Sequence, residues 1–499
     1  MPRAGGSSTD TKLSRYRVKV RSFVSKARPV YPLLSCGALG LPVMQRTIPV
    51  WLFLFFLLLW ALGTVGFGWA IRSKLAGAGQ SGYFGELALD IASFPNLATD
   101  VILQLVDDAT GDYKDAELLV RREANADYSD FEPVPLAAGI DVQRPLLKVG
   151  PGSLAPGWRM LAGAFVVDGS MENAVLLLSP ELKIVKRWVL DEVPVDGWKP
   201  RPKHLKFVHG VELLPDGSLI FTFDGSVSLQ RIASCGNRLW ATGGEFNHSV
   251  MLNEAGDAVW TFSGLRDIAE VSVADGSVLR RITVDDIIAA NPKTDILGGR
   301  LLHDNDINVN SRNTDGKWFY DPFHFNDVEP LPSTIADRFP GFNAGDLLIS
   351  ARSLNLLFVI DPQTLHIKWW RAGMTQRQHD PDWLPSGEIL VFNNRMSRDY
   401  SELVAINPTT LARREVFDGR TNDFYSRIRG KHQQYPDGHR VISSPQQGRA
   451  FELDPHGDLA LELVNPKPGS DSDNYVISEM QWFPLDALDV ANWQCPPAS

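Results

Sequence analysis

A short pattern that recurs from about residue 136 onward decides the fold of this chain. It is clearest in LLPDGSLIFTF (213–223), WLPSGEILVFNN (383–394) and YPDGHRVISS (435–444), where a proline–x–glycine turn leads into an apolar strand. Glycine adopts positive φ angles without steric cost, so it suits a sharp reversal between antiparallel strands. The pattern therefore predicts repeated β-hairpins.

A second kind of hairpin alternates with the first. Its turn is Asp-Pro or Asn-Pro, as in VIDPQTLHIKWW (359–370), AINPTTLARREV (405–416) and ELDPHGDLALEL (452–463). A unit of about 40–60 residues with about four short strands is typical of a β-propeller. A β-sandwich or two barrels would explain the strands but not the recurring unit. We predict an all-β, six-bladed propeller over residues 136–499, although five to seven blades fit the length.

The N-terminal part of the chain differs from this body. Residues 48–71 read IPVWLFLFFLLLWALGTVGFGWAI and contain no charge, which predicts a transmembrane helix acting as a signal anchor. The basic residues in segment 1–47 favour a cytoplasmic N-terminus, so the propeller is expected in the periplasm or outside the cell. A cleaved signal peptide and a start at Met44 remain alternatives. Residues 72–135 are interpreted as a mixed linker, with helical periodicity over 112–124.

The charge is distributed unevenly. Residues 1–71 carry a formal charge of +8, which leaves −18 on the rest of a chain whose net charge is −10. An acidic body of this kind argues against a nucleic-acid partner, because phosphate backbones need a basic surface. Three cysteines without a CxxC pair argue against a cysteine zinc site. Cys235 and Cys495 lie in the exported part, where an oxidising compartment permits a disulfide.

Histidines recur at one position of the repeat. Five of the ten lie just before the turn and strand of a unit, and these are His209, His248, His324, His379 and His432. The innermost strands of a propeller line its central channel, so these positions are expected to converge. Clustered imidazoles suit metal binding, acid–base or nucleophilic chemistry, or a structural role in the loops between blades. Arg352, in the strand DLLISAR (346–352), favours an anionic ligand over a metal.

Three segments together resemble one known family. FHFNDVEPL (323–331), GDLLISARSLNLLFVID (345–361) and QHDPDWLPSGEILVFNN (378–394) resemble, in order and spacing, segments of the PAPS-independent aryl sulfotransferases. These enzymes work without a nucleotide donor and are six-bladed propellers that are periplasmic or linked to a membrane. The resemblance extends from roughly residue 200 to 460. An insertion around 303–318 and a single histidine at position 248 depart from the family pattern.

The resemblance also implies an activity and roles for residues. It implies transfer of a sulfuryl group from an aryl sulfate donor to a phenolic acceptor, by a ping-pong mechanism that needs no cofactor or metal. The nucleophile then falls on His379, the sulfuryl-binding arginine on Arg352 and an acid–base histidine on His324. A further acid–base histidine falls on His248, with His209 as the rival position. The candidate substrate-binding residues are Asn326, His209 and His432.

Two other functions fit the same composition. A propeller can bind a ligand or partner without chemistry, since this fold hosts many functions. A quinone- or metal-dependent oxidoreductase is hinted at only by the sequence DPQTLHIKWW (361–370). Aromatic residues near the motifs, namely Phe323, Phe325, Trp383 and Phe392, are expected either to wall a phenolic substrate or to pack between blades. The sequence does not predict an oligomeric state.

Overall fold

The computed structural model describes residues 49–75, 87–88, 91, 118–122, 126–195, 206–298, 301–302, 317–318, 321–396 and 398–493. The chain divides into two compact units, residues 1–69 and residues 70–499.

The first unit contains most of a long apolar helix, α1 (Val50–Leu75). Its Val50–Arg72 stretch has a mean hydropathy of 2.3, and none of its most apolar window is buried in the protein. At about 1.5 Å per residue, a helix of this length matches the hydrocarbon core of a bilayer. The helix predicted over 48–71 is therefore present and is long and apolar enough to cross a membrane.

The described part of the second unit is a six-bladed β-propeller, as predicted, in which each blade contains four antiparallel strands. Blade 1 combines β30 (Ile477–Phe483) with β4 (Trp158–Val167), β5 (Ser170–Leu178) and β6 (Ile184–Val189). Blade 2 contains β7 (Val208–Leu213), β8 (Leu219–Phe223), β9 (Ser228–Ile232) and β10 (Arg238–Gly243). Blade 3 contains β11 (Phe246–Leu252), β12 (Ala258–Ser263), β13 (Asp267–Ser272) and β14 (Val278–Thr283).

The remaining blades follow in chain order. Blade 4 contains β17 (Phe325–Pro330), β18 (Leu347–Ala351), β19 (Leu356–Ile360) and β20 (Ile367–Ala372). Blade 5 contains β21 (His379–Trp383), β22 (Ile389–Asn393), β23 (Glu402–Ile406) and β24 (Arg413–Asp418). Blade 6 contains β25 (Lys431–Gln434), β26 (Arg440–Ser444), β27 (Arg449–Leu453) and β28 (Leu459–Val464).

Several short strands and a helix lie outside the four-stranded blades. Strands β2 (Glu132–Pro133) and β3 (Leu146–Val149) extend the outer edge of blade 6. The pairs β1 (Leu119–Arg121) with β29 (Asp473–Tyr475), and β15 (Leu301–Leu302) with β16 (Lys317–Trp318), form two small ribbons. Helix α2 (Val284–Ala290) begins with a capping box between Thr283 and Asp286.

Residues 119–121, which lie in the stretch with predicted helical periodicity, form a strand and not part of a helix, because their backbone pairs with β29.

Among the described residues, the hydrophobic core contains six layers, one between each pair of neighbouring blades, and a smaller seventh cluster around Leu118, Ala164, Phe207 and Tyr475. Central strands such as LIFTF (219–223) are buried on both faces, which explains why they are continuously apolar. Phe323, Phe325, Trp383 and Phe392 belong to these layers, so their role is packing between blades.

The turn glycines have the conformations that the sequence predicts. Gly217, Gly387 and Gly438 have φ angles of 78°, 79° and 96°, in the left-handed region that favours glycine.

The ring is closed by pairing the C-terminal strand β30 with β4 from the N-terminal side of the propeller. A buried ion pair supports this closure, with Arg159 of blade 1 contacting Glu452 of blade 6 at 2.9 Å. Closure makes β30 the innermost strand of blade 1, so it faces the axis together with β7, β11, β17, β21 and β25.

Candidate active site

The innermost strands carry β-bulges at one end of the channel. In five of the six blades, the pairing of the innermost strand with its neighbour shifts register near its first residues, and the extra residues are His209, His248 with Ser249, Asn326, Asp380 and Ser478. A bulge bends a strand and changes the direction of its side chains. His248, His324 and Asp380 have positive φ angles of 61°, 47° and 51°. The local backbone strain therefore coincides with the candidate residues.

Three imidazoles lie in contact at this end of the channel. The ring centroids of His209 and His248 are 3.9 Å apart, and those of His248 and His324 are 5.0 Å apart. The close approach of strands β7 and β11 requires Gly210, because a Cβ atom there would lie 2.0 Å from the His248 carbonyl oxygen. The structure thus brings both rival positions, His209 and His248, into one cluster.

Burial sets the charge state of these two histidines. Desolvation, with the positive charge of Arg429, lowers the pKa of His209 well below its ordinary value. Desolvation, with neighbouring imidazoles, does the same to the pKa of His248. Both rings are therefore neutral at pH 7 and can accept or donate a proton.

His324 has a carboxylate partner that the sequence analysis did not single out. Its Nδ1 atom forms a short hydrogen bond with the Asp321 carboxylate, and its backbone N–H donates to the same side chain at 3.1 Å. A carboxylate held in this way orients the imidazole ring. The only sequence signal was an acidic residue three positions before the histidine, which is common in loops.

His379 is oriented by Asn394. The distance from His379 Nδ1 to Asn394 Oδ1 is 2.7 Å, while Asn394 Nδ2 donates to the carbonyl oxygens of Ser426 and Arg429 at 2.8 and 2.5 Å. Because the amide nitrogen is used by two carbonyls, its oxygen must accept, and the proton of His379 must be on Nδ1. The lone pair therefore resides on Nε2, which is the atom that can attack.

The charge of His379 is also controlled by its surroundings. Desolvation and the positive charge of Arg352 lower its pKa well below the ordinary value of 6.5. Arg352 follows β18 directly, and its backbone N–H donates to the His324 carbonyl at 3.2 Å. Its buried Nε atom has no hydrogen-bond partner among the described residues. The structure therefore brings Arg352, His324 and His379 to one site, with a guanidinium able to bind an anion.

Asn326 links two blades at this site. Its Nδ2 atom donates to the carbonyl of Gln378 at 2.8 Å, which fixes the backbone just before His379. Gln378 is fully buried and donates to Ser350 Oγ and to the Leu356 carbonyl. Asn326 Oδ1 is buried without a partner in the described structure. Asn326 thus lies beside the site with one acceptor atom unused.

His432 is not brought together with the other four histidines. Strand β25 pairs with β26 in regular register, so Lys431 and His432 point to opposite faces. Lys431 lines the channel, and its ammonium contacts Asp380 at 2.6 Å and Asp327 at 3.3 Å. The His432 side chain is fully buried, with its Nδ1 atom 2.9 Å from an Asp382 carboxylate oxygen. Lys431 was not identified from the sequence.

The charged groups around Lys431 form a second cluster. Burial opposes the ionisation of His432, but the Asp382 carboxylate outweighs it and raises the pKa of this histidine. Ligand atoms of Asp380, Asp382 and His432 all lie within 4.8 Å of one another, so among the described residues this group could hold a metal ion. The Lys431 ammonium already neutralises Asp380, so the cluster has an internal cation.

The cavity above the histidines has an aromatic and a cationic side. It is lined by Phe207, His209, His248, His379, Arg429 and Lys431, among others. The Arg429 guanidinium carbon lies 3.3 Å from the ring centroid of Phe207. Phe207 is only 3% exposed and its ring is covered by Arg429, so it packs beside the cavity and does not replace the aromatic wall expected from residues nearer the motifs.

Comparison with known proteins decides the family of this chain. The family model for arylsulfotransferase (ASST) matches residues 210–466, just over half of the sequence. The chain belongs to the arylsulfotransferase family. The match includes His248, His324, Arg352 and His379, and it begins one residue after His209. Membership supports aryl sulfotransferase activity in general, with aryl sulfate donors and phenolic acceptors as the substrate classes.

Other comparisons with this arylsulfotransferase-family chain are remote. A Bacteroides caccae protein of unknown function is 14% identical, with a TM-score of 0.41, and the alignment covers 65% of this chain and 98% of that one. Virginiamycin B lyase from Staphylococcus aureus is 10% identical, with a TM-score of 0.32 and coverages of 56% and 84%. The Cps50 (Swd1) β-propeller domain of Myceliophteria thermophila is 10% identical, with a TM-score of 0.36 and coverages of 61% and 83%. No curated protein matches the chain significantly. At these similarities the solved structures carry no argument about activity.

Proposed function

We propose that this protein transfers a sulfuryl group from an aryl sulfate to a phenol through a covalent intermediate on His379. The observation that carries the proposal is the hydrogen bond from His379 Nδ1–H to Asn394 Oδ1 at 2.7 Å, which leaves a lone pair on a buried, neutral Nε2. A buried neutral imidazole with a fixed tautomer is suited to nucleophilic catalysis.

In the first half-reaction, His379 Nε2 forms a bond to sulfur as the bond between sulfur and the aryl oxygen breaks. The aryl oxide leaves with the bonding electron pair and takes a proton from His324, whose ring is oriented by Asp321. Arg352 binds the non-bridging sulfuryl oxygens, where charge accumulates in the transition state. The phenol then departs and leaves a sulfuryl group on His379.

In the second half-reaction, the acceptor phenol gives its proton to His324, and its oxygen attacks the sulfur. The nitrogen–sulfur bond breaks, and its electron pair returns to His379 Nε2. His248 contacts His324 ring to ring and is neutral, so it can exchange protons with the cluster between half-reactions. No cofactor takes part in either step.

The test is sulfuryl exchange from 4-nitrophenyl sulfate to phenol without any added cofactor. We expect parallel double-reciprocal plots and, after a donor pulse, one sulfuryl group on a peptide containing His379. Because a sulfuryl–imidazole bond is acid-labile, the peptides must be kept alkaline for mass spectrometry. His379→Asn should abolish both trapping and exchange. Full exchange in this variant would overturn the mechanism, and donor binding without exchange would favour a non-catalytic propeller.

We also propose that α1 anchors the protein with its N-terminus in the cytoplasm and the propeller in the periplasm or outside the cell. The basic residues before the helix support this orientation. Cys235 is in a disulfide, whose partner lies outside the described residues, and disulfides persist in oxidising compartments. Cys495 is the predicted partner. Reporter fusions after residue 100 should be active only outside the cytoplasm, and cytoplasmic activity would reject the orientation.

A further inference from the structure

Three arginines lie at the entrance of the candidate active site. Arg352 follows strand β18, whose last residue pairs with the first residue of β17. Arg377 lies just before β21, and Arg427 lies in the connection that leads into β25. Because the innermost strands all begin at the same end of the channel, these three positions surround the end where His379 lies.

Hydrogen bonds tie the loops that carry these arginines to the site. The Arg377 backbone N–H donates to Asn355 Oδ1 at 2.8 Å. The loop around Arg427 is held by Asn394, which donates to the carbonyl oxygens of Ser426 and Arg429 and also accepts from His379. The two loops are therefore anchored beside the nucleophile.

The Arg352 guanidinium lies within electrostatic range of both Arg377 and Arg427, and none of the three arginines forms an ion pair with another described residue. Desolvation, together with the charges of Arg377 and Arg427, lowers the pKa of Arg352. The carboxylate that favours the charge of Arg352 is Asp321, which is already hydrogen-bonded to His324. This concentration of positive charge contrasts with the net charge of −18 over residues 72–499. An anionic ligand would relieve the repulsion.

The proposed reaction uses only one of these cations. While the sulfuryl group is on His379, Arg352 remains bound to its oxygens, so it is unavailable to any charge on the incoming acceptor. Arg377 is half-buried and Arg427 is exposed at the same entrance.

We propose that Arg377 and Arg427 form an acceptor subsite for a second anionic group, so that the preferred acceptor is a phenol that also carries a carboxylate or sulfonate. This inference rests on the proposed function and specifies its substrate class. In this arrangement the phenolic oxygen points to His379, and the distal anion contacts the two arginines. Arginine is suited to this role because its planar fork binds carboxylates and sulfonates through two hydrogen bonds.

The test compares two acceptors that differ only in distal charge, 3-(4-hydroxyphenyl)propionate and its methyl ester, with 4-nitrophenyl sulfate as the donor. The ratio of kcat/KM for the acid to that for the ester should exceed one and should fall at high salt. Arg377→Gln and Arg427→Gln should each lower this ratio by about threefold to fivefold, the effect of an exposed ion pair, through the KM of the acid.

Arg338→Gln is the matched control. Arg338 is exposed and lies in the connection after β17, at the opposite end of the strand from His324. The Arg338→Gln substitution removes the same charge and should leave the acid-to-ester ratio of kcat/KM unchanged. The subsite would be overturned if the wild-type protein had equal kcat/KM values for the acid and the ester. It would also be overturned if neither Arg377→Gln nor Arg427→Gln lowered the ratio of the two values.

A binding measurement separates this inference from the proposed reaction. If no acceptor is sulfated, the proposed function fails, and calorimetric titration of the wild-type protein with the acid and the ester still tests the subsite. Tighter binding of the acid that Arg427→Gln weakens supports the subsite, and equal binding of both compounds rejects it.

Discussion

Asn394 offers the sharpest test of how the site prepares its nucleophile. In Asn394→Ala, the His379 Nδ1–H loses its acceptor in a buried site, and the ring is free to place its proton on Nε2. Leaving a buried hydrogen-bond donor unpaired costs about 1–3 kcal/mol. If this cost falls on the reactive tautomer, the attack of His379 on the aryl sulfate becomes roughly fivefold to 150-fold slower.

Stopped-flow release of 4-nitrophenol from 4-nitrophenyl sulfate measures this step directly. Asn393→Ala is the matched control, because Asn393 is the buried residue directly before Asn394 but bonds to Glu402 and Gln376 and not to His379. Its burst rate should equal that of the wild type. A folded Asn394→Ala protein with the wild-type burst rate would refute the argument about the tautomer.

The pH dependence of the same step has a defined direction. Attack needs neutral His379, and burial with Arg352 holds its pKa well below 6.5, so the wild-type rate should persist as the pH falls to about 6.5 and decline only below it. In Asn394→Asp, the added carboxylate should raise the pKa of His379 by about 1–3 units. The midpoint of the pH–rate profile should therefore move upward. An unchanged midpoint in a folded protein would contradict this account.

Further predictions concern other parts of the site. Asp321→Asn should slow turnover by about 10²–10⁴-fold, measured as kcat, because His324 loses the carboxylate that orients its ring for proton transfer. Lys431→Met should lower the free energy of unfolding by about 3–5 kcal/mol in urea titrations, since buried carboxylates lose their cation. Glu479 has its pKa raised by burial to about 7, so its ionisation destabilises the fold as the pH rises from about 4.5 through 7. Glu479→Gln should remove that part of the pH dependence of stability. Gly210→Ala should lower Tm and activity together. If the Tm of this variant equals that of the wild type, strands β7 and β11 tolerate a Cβ atom at this position.

Local chemistry determined much of the architecture. The Gly turns, the continuously apolar strands and the 48–71 stretch each depend on residues close together in sequence, so the propeller and the apolar helix were predictable. The recurrence of histidine at one position of the repeat indicated an axial site. The strand conformation of residues 119–121 could not be predicted from local residues, because this strand pairs with β29, which lies far away in sequence.

Only the tertiary structure decided how the site works. A β-bulge breaks the alternation of side chains, so the sequence could not show that His209 and His248 would lie in contact. The regular register of β25 directs Lys431, and not His432, into the channel. The proton of His379 is placed by Asn394, which directly follows the neighbouring strand β22 and is itself held by the loop before blade 6. These features depend on which backbone and side-chain groups meet when six blades close into a ring, and no local pattern of residues encodes that geometry.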